Sequence, residues 1–309
     1  MTIVLLEPIH DDARALLASF DTTVLVDGPT QVEGELARAT TAILTRGRGI
    51  IDAPLLNRCP GVRAVARCGV GLDNIDVAAA GQRDIPVIYA PGSTTAALAE
   101  HTLMLMLAAT RRLRQLTEAV HAGDWQVRAS YGALQLSGKT LGIVGMGAIG
   151  RRVGELALAF GMRVVCWNRT PVVGDLTRLE LDELLAASDI VSLHVALAPE
   201  TRGMIDGRAL GLMRPGAILI NTARGGIIEQ VALAAALDEG RIGYFASDVL
   251  DPEPPAAGER LLASDRTLIT PHTAALTDVT FRAMCLSTAT NVLAVLRGDA
   301  PDAASVYRS

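Results

Sequence analysis

The sequence predicts an α/β protein with two doubly wound parallel sheets, on three observations. Short apolar runs alternate with helical stretches along most of the chain, the pattern of parallel strands covered by helices. A glycine-rich turn, GMGAIG at 145–150, follows one such run and opens a helix, as in a dinucleotide-binding βαβ unit. A length of 309 residues is long for one core and ample for two.

The first sheet is expected from runs at 2–6, 22–26, 41–45, 63–66 and 86–89. From 96 to 116 the chain is then apolar almost throughout, with Leu98, Leu103, Leu105, Met106 and Leu107. A helix greasy on most faces is expected to lie buried between domains or between subunits. A polar linker at 121–137, carrying Trp125 and Tyr131, leads to a second series that begins at Thr140–Val144. Its first helix places Ile149, Val153, Leu156 and Phe160 on one stripe at helical period. Further strands are expected at Arg163–Trp167, 190–195, 217–220, 242–246 and 268–269, and six such strands complete a Rossmann sheet. The tail from Leu276 has a helical pattern and too few residues to fold alone, so it is expected to return to the first domain.

Half the residues are apolar, yet the longest unbroken apolar stretch near the middle, 103–109, falls far short of the roughly 20 residues that span a bilayer. The apolar excess is therefore assigned to cores or a subunit interface, and no membrane partner is expected. Residues 1–6 read directly as a strand, with no charged-then-apolar leader. Cys59, Cys68, Cys166 and Cys285 are scattered without a CxxC pair, which points to reduced thiols, a cytoplasmic location and no metal. A net charge of −5 gives no positive field to hold a phosphate backbone, so nucleic acid is not an expected partner.

The glycine turn has a division of labour. Gly145 allows the tight bend, Gly147 lets the backbone reach a pyrophosphate, and Gly150 lets helix and strand pack closely. Ala148 and Ile149 complete the turn at a helix N-terminus, whose free N–H groups suit phosphates. At the end of the next strand, where an acidic residue would hold the ribose hydroxyls of NAD, the chain has Asn168, then Arg169 and Thr170. The missing carboxylate removes repulsion of a 2′-phosphate, and Arg169 can pair with it. NADP(H) is therefore favoured, with NAD(H) the alternative if Arg169 only stacks on adenine or faces water.

Three further motifs, NTARG, DVLDPEP and TPH, each follow a strand-like run and supply Arg224, Glu253 and His272. Ligands of open α/β sheets bind outside the carboxyl ends of the strands, so the three are expected to converge on one crevice. Oxidising a secondary alcohol removes a hydride from carbon and a proton from oxygen. His272 suits the base, Glu253 can hold its other nitrogen and stabilise the protonated ring, and Arg224 can grip a carboxylate and polarise a carbonyl. Taken singly each has an ordinary structural reading, since His10, His101, His121 and His194 also occur. Their joint placement carries the inference.

On RCGVGLDNID (67–76), AEHT (99–102), GMGAIG (145–150), SDIVSLHV (188–195), NTARGG (221–226), DVLDPEP (248–254) and TPH (270–272), the chain resembles the D-isomer-specific 2-hydroxyacid dehydrogenase family over nearly its whole length. The resemblance implies that Arg224, Glu253 and His272 are catalytic. It implies that Asp248 bonds the nicotinamide carboxamide, that Ala223 lies with the cofactor-binding residues, and that the Val70 and Gly71 amides receive the substrate carboxylate. It implies a Rossmann cofactor domain, 95–276, inserted in a flavodoxin-like substrate domain of 1–94 and 277–309, with closure of the two excluding water. It also implies a homodimer through the cofactor domain, accounting for the apolar 96–116 helix and Trp125. Ala196 and Thr94 depart from the family's usual proline and asparagine. Arg46 and Arg67 match the phosphate-side arginines of phosphoglycerate dehydrogenases, and Arg48 is extra, so a substrate with a second anionic group is expected. Candidate substrates are 3-phosphoglycerate or a similar dianion, and hydroxypyruvate or glyoxylate, as D isomers on the alcohol side. The alternative is a catalytically silent NAD(P)-sensing binding protein of the corepressor type. No room is expected after the second sheet for a serine-responsive regulatory domain.

Overall fold

Strands buried on both faces of a parallel sheet are apolar end to end, because helices cover both sides. The computed structural model describes residues 1–170 and 176–307 and forms two compact units, Met1–Thr94 with Ala275–Ser309, and Thr95–Ala274.

In the first unit, β1 (Thr2–Leu5), β2 (Thr22–Leu25), β3 (Thr40–Thr45), β4 (Ala64–Arg67) and β5 (Val87–Ile88) form one parallel sheet in the order β2-β1-β3-β4-β5. Strand order reverses between β1 and β3, the arrangement of a flavodoxin-like sheet. One face packs Ile3, Leu5, Leu44 and Ala66 against Met284, Cys285, Ala289 and Val292. Those last four lie on the helix Asp278–Arg297, capped at its start by the Thr277 side chain and at its end by Gly298 with φ +86°. This helix is long and apolar enough to cross a bilayer, although threonines, Asn291 and Arg282 interrupt its apolar residues. Half of it is buried in this unit, where its apolar face covers the sheet.

In the second unit, β6 (Thr140–Val144), β7 (Arg163–Trp167), β8 (Thr177–Arg178), β9 (Ile190–Leu193), β10 (Ala217–Asn221), β11 (Ile242–Ser247) and β12 (Thr267–Ile269) are all parallel, in the order β12-β11-β10-β9-β6-β7-β8. The order reverses between β6 and β9, as in a Rossmann sheet. Strand β8 is a seventh, where six were expected; it is two exposed residues on an edge and carries no apolar run to announce it.

The apolar stretch expected as one helix over 96–116 is two, Thr95–Thr110 and Leu113–His121, broken where Arg112 takes a left-handed φ of +46°. Nor does the first need a partner subunit or a domain boundary to bury it. Ala99, Leu103, Leu105, Met106 and Ala109 pack inside their own unit against Val153 and Ala157 of the helix Ala148–Ala159 and against Ile218, Ile220, Tyr244 and Ala246 of the sheet. A helix laid between a sheet and another helix is apolar on most of its circumference for that reason.

Candidate active site

Because every strand of the second unit runs the same way, the glycine turn and the ends of β7, β10, β11 and β12 share one edge of the sheet. Gly145 sits at φ +104°, and a Cβ there would lie 2.7 Å from the His194 carbonyl carbon, so only glycine fits. A Cβ on Gly150 would overlap the Gly145 carbonyl oxygen, whereas one on Gly147 would meet nothing within 4 Å. The turn is thus closed where helix meets strand and open at Gly147. Among the described residues no side chain caps the helix Ala148–Ala159, which begins at Ala148 and Ile149, so its first N–H groups are left for a ligand. These features fit a pyrophosphate.

Asn168, at the end of β7, ties the turn together. Its Oδ1 accepts from the Met146 amide at 3.0 Å, and its Nδ2 donates to the Thr170 carbonyl and hydroxyl at 3.0 and 2.9 Å. Arg169 and Thr170 are exposed beside it. Arg178 of β8, which the sequence did not single out, donates to the Asn168 carbonyl at 3.2 Å.

Arg224 leaves β10 on a turn held by Asn221, whose side chain accepts from the Ala223 amide at 3.0 Å and donates to the Arg224 carbonyl at 2.9 Å. The Arg224 guanidinium bonds the Ala223 carbonyl at 2.8 Å. The next residue must be glycine, because a Cβ at Gly225 would overlap the Leu250 carbonyl and the Asp251 nitrogen. That close approach brings the Arg224 loop against the loop that carries Glu253.

Glu253 accepts from the Leu250 amide at 3.0 Å through Oε1 and meets His272 Nδ1 at 2.6 Å through Oε2. Burial pushes its carboxyl up, but the His272 imidazole, the Leu250 amide and the Arg224 charge outweigh burial and hold it below the usual carboxylate range. The same carboxylate therefore senses both other members of the expected trio. His272 Nε2 has no hydrogen bond among the described residues, and the side chain is 42% exposed.

His272 also has a left-handed φ of +55°, rare for a non-glycine residue and costing about 1–3 kcal/mol unless its surroundings hold it. Asp248 does the holding. Its carbonyl accepts from the His272 amide at 2.9 Å. Its buried carboxylate accepts from the Thr270 hydroxyl at 2.6 Å, the Thr273 amide at 2.9 Å and the Ala274 amide at 2.8 Å. Sequence reasoning gave Asp248 to the cofactor, and the coordinates add this clamp on the loop of the imidazole. They also add His101, dismissed as ordinary, whose Nε2 lies 2.9 Å from the Thr270 hydroxyl.

The residues expected around the substrate belong to the first unit. The Val70 and Gly71 amides make no hydrogen bond among the described residues, and Val70 is exposed. Arg67 is buried, with Nε donating to the Arg46 carbonyl at 2.9 Å and Nη1 donating to the Gly71 carbonyl, so its donors shape both loops. The Arg46 guanidinium lies over the Phe281 ring and 3.7 Å from Glu7. Glu7, which the sequence did not flag, is 3% exposed and accepts through Oε1 from the Arg46, Gly47, Arg48 and Gly49 amides and the Thr45 hydroxyl. Burial raises its carboxyl, and these donors more than reverse that, leaving it lowered.

A family profile described as D-isomer specific 2-hydroxyacid dehydrogenase, NAD binding domain, matches residues 103–274. A glyoxylate reductase of Aeropyrum pernix is 40% identical over 277 residues, covering 86% of this chain and 82% of that protein. A D-3-phosphoglycerate dehydrogenase of Methanocaldococcus jannaschii is 35% identical over 304 residues, covering 96% of this chain but 58% of its own length. The chain thus spans little more than half the length of the phosphoglycerate dehydrogenases it matches. The crystal structure of a D-lactate dehydrogenase from Aquifex aeolicus, complexed with NAD and lactic acid, superposes with a TM-score of 0.89 at 28% identity, covering 97% of this chain and 96% of that one.

Proposed function

Because the chain belongs to the D-isomer-specific 2-hydroxyacid dehydrogenase family, we propose that it is an oxidoreductase that interconverts a small 2-keto acid and its D-2-hydroxy acid with a nicotinamide dinucleotide. When bound, the nicotinamide gives or takes the hydride. The chain's own residues do the rest. The Gly145–Gly150 turn and the N–H groups at Ala148 and Ile149 bind the pyrophosphate, with Ala223 and Asp248 alongside the nicotinamide end. Arg224 grips the substrate carboxylate and polarises the carbonyl; in the first unit the Val70 and Gly71 amides are the substrate-binding groups this reading proposes. His272 Nε2 donates the proton in reduction and takes it in oxidation, while Glu253 orients the ring through Nδ1 and stabilises its charged form. The observation that carries this reading is the 2.6 Å contact of Nδ1 with Glu253, which leaves Nε2 without a hydrogen bond among the described residues, on the same end of the sheet as the glycine turn.

Residues 1–94 and 277–309 act as the substrate domain in this reading, and 95–276 as the cofactor domain; Arg308 and Ser309 lie outside the described residues. NADP(H) is favoured over NAD(H). Among the described residues, Asn168 rather than a carboxylate follows β7, and Arg169 is exposed there. A substrate with a second anionic group remains attached to Arg46 and Arg48, although Glu7 already offsets part of that charge. A homodimer through the cofactor domain is supported by exposed Met104, Leu107, Leu113, Val120 and Trp125. Four reduced, buried cysteines accord with a cytoplasmic location.

The test is the absorbance of reduced cofactor against glyoxylate, hydroxypyruvate, pyruvate, 3-phosphohydroxypyruvate and 3-sulfopyruvate, with NADPH and with NADH. Turnover of at least one acid, with higher kcat/KM for NADPH, is expected. Tight cofactor binding without turnover of any acid would instead favour the sensor reading, and an NADH preference above about tenfold would overturn the cofactor choice.

A further inference from the structure

We propose that His101 and Thr102, adjacent on the helix Thr95–Thr110, are positioning residues that brace the two catalytic loops, Thr102 setting Arg224 and His101 setting His272. The inference rests on the roles given above to Arg224 and His272.

The hydrogen-bond directions can be worked out atom by atom. Thr102 Oγ1 donates its one proton to the Leu98 carbonyl at 2.7 Å. Its 2.9 Å contact with Thr222 Oγ1 therefore has Thr222 as the donor. Thr222 lies two residues before Arg224, and both hydroxyls are buried, at 0% and 5% exposure. On the other loop, Thr270 Oγ1 must donate to Asp248 Oδ1 at 2.6 Å, because a carboxylate only accepts. The 2.9 Å contact with His101 Nε2 thus has the imidazole as donor, which fixes the proton on Nε2. Thr270 lies two residues before His272. Each brace therefore meets its loop at the same offset from the working side chain.

The lengths of the two side chains suit the distances. Strands β10 and β12 flank β11, roughly 10 Å apart by sheet spacing. Successive helix residues point about 100° apart, so one short and one long side chain from neighbouring positions reach two different strand ends. A hydroxyl serves β10 and an imidazole serves β12. The AEHT stretch, so far without a task in the chemistry, acquires one: it fixes how far the guanidinium stands from the imidazole. Small displacements of a reacting group, on the order of 1 Å, are enough to cost about a hundredfold in rate.

Full-length Thr102→Val and His101→Leu test this beside Thr102→Ser and His101→Gln, which restore the hydroxyl and a side-chain N–H donor. Thr102→Val is expected to raise KM for the 2-keto acid about tenfold with kcat little changed, since Arg224 grips the substrate. His101→Leu is expected to lower kcat about tenfold with KM little changed, since His272 handles the proton. Both conservative variants should return to within about threefold of wild type, and cofactor affinity and the melting temperature should hold in all four. The proposal is overturned if both apolar variants keep wild-type kcat and KM, or if losses of kcat and KM appear together with lost cofactor affinity and no rescue. Arg224→Ala and His272→Ala are run alongside. If those two retain full activity, the catalytic assignment fails and the brace with it; if they abolish turnover while the His101 and Thr102 variants are silent, the brace alone is wrong.

Discussion

Replacing Glu253 with glutamine keeps an acceptor in front of His272 Nδ1 and removes the charge. The two side chains meet at 2.6 Å with 36% and 42% of their surfaces exposed. Coulomb's law at that distance gives about 1.6 kcal/mol in water and about 6 kcal/mol at an effective dielectric of 20. The exposure puts the pair near the screened end, so about 2 kcal/mol of stabilisation of the imidazolium is lost. Oxidation of the hydroxy acid, which builds that charge on His272, should slow about 30-fold. The assay is the initial rate of cofactor reduction at saturating 2-hydroxy acid from about pH 9 down to about pH 3, below the ordinary carboxylate range. Glu253 titrates below the usual carboxylate range, so wild-type rate carries its contribution at neutral pH and loses it as pH falls through that lowered value. Glu253→Gln should lack that acid limb and be slow throughout. A variant within twofold of wild type at neutral pH would refute the electrostatic part of the reasoning.

Gly225→Ala forces a methyl into the Leu250 backbone and should shift the Arg224 loop, cutting kcat/KM by about a hundredfold while cofactor affinity, read by fluorescence titration, holds. Glu7→Ala strips the acceptor from four amides and a hydroxyl, and should destabilise the unit of β1–β5 by about 3 kcal/mol, roughly 10 °C in its melting transition. Since the Glu7 carboxyl titrates low, its contribution is complete above the ordinary carboxylate range and is lost as pH falls through the lowered value; the gap in stability between wild type and variant should narrow in acid. Trp125→Asp, at a side chain 64% exposed, should shift the protein toward monomer in sedimentation if the exposed apolar surface is the subunit contact.

Most strands were legible because they are buried along their length, so the apolar residues of Ala217–Asn221 and Thr140–Val144 stand out as compact runs. Strand β8 was not, since two exposed residues on an edge need only backbone bonds to β7. The break at Arg111 and Arg112 had no glycine or proline to mark it. At the site, motif order located Arg224, Glu253 and His272, and the coordinates bring their loops together through the Gly225 contact with Leu250 and the shared influence on Glu253. Glu7, His101 and the clamp made by Asp248 were hidden for a common reason: they bond groups 22 to 169 positions away, which residue type and spacing do not encode. Arg67, an arginine of the expected type, also donates to the Arg46 and Gly71 carbonyls and lies 3.7 Å from Asp73 of its own unit, contacts that residue type alone does not reveal.

The most direct measurement is a crystal structure of the protein with NADPH and oxamate, an unreactive mimic of a 2-keto acid. The account predicts His272 Nε2 within about 3 Å of the oxygen that corresponds to the reacting carbonyl, Nδ1 still on Glu253, and Arg224 on the carboxylate. An imidazole directed away from the nicotinamide, with the mimic held by other side chains, would contradict it.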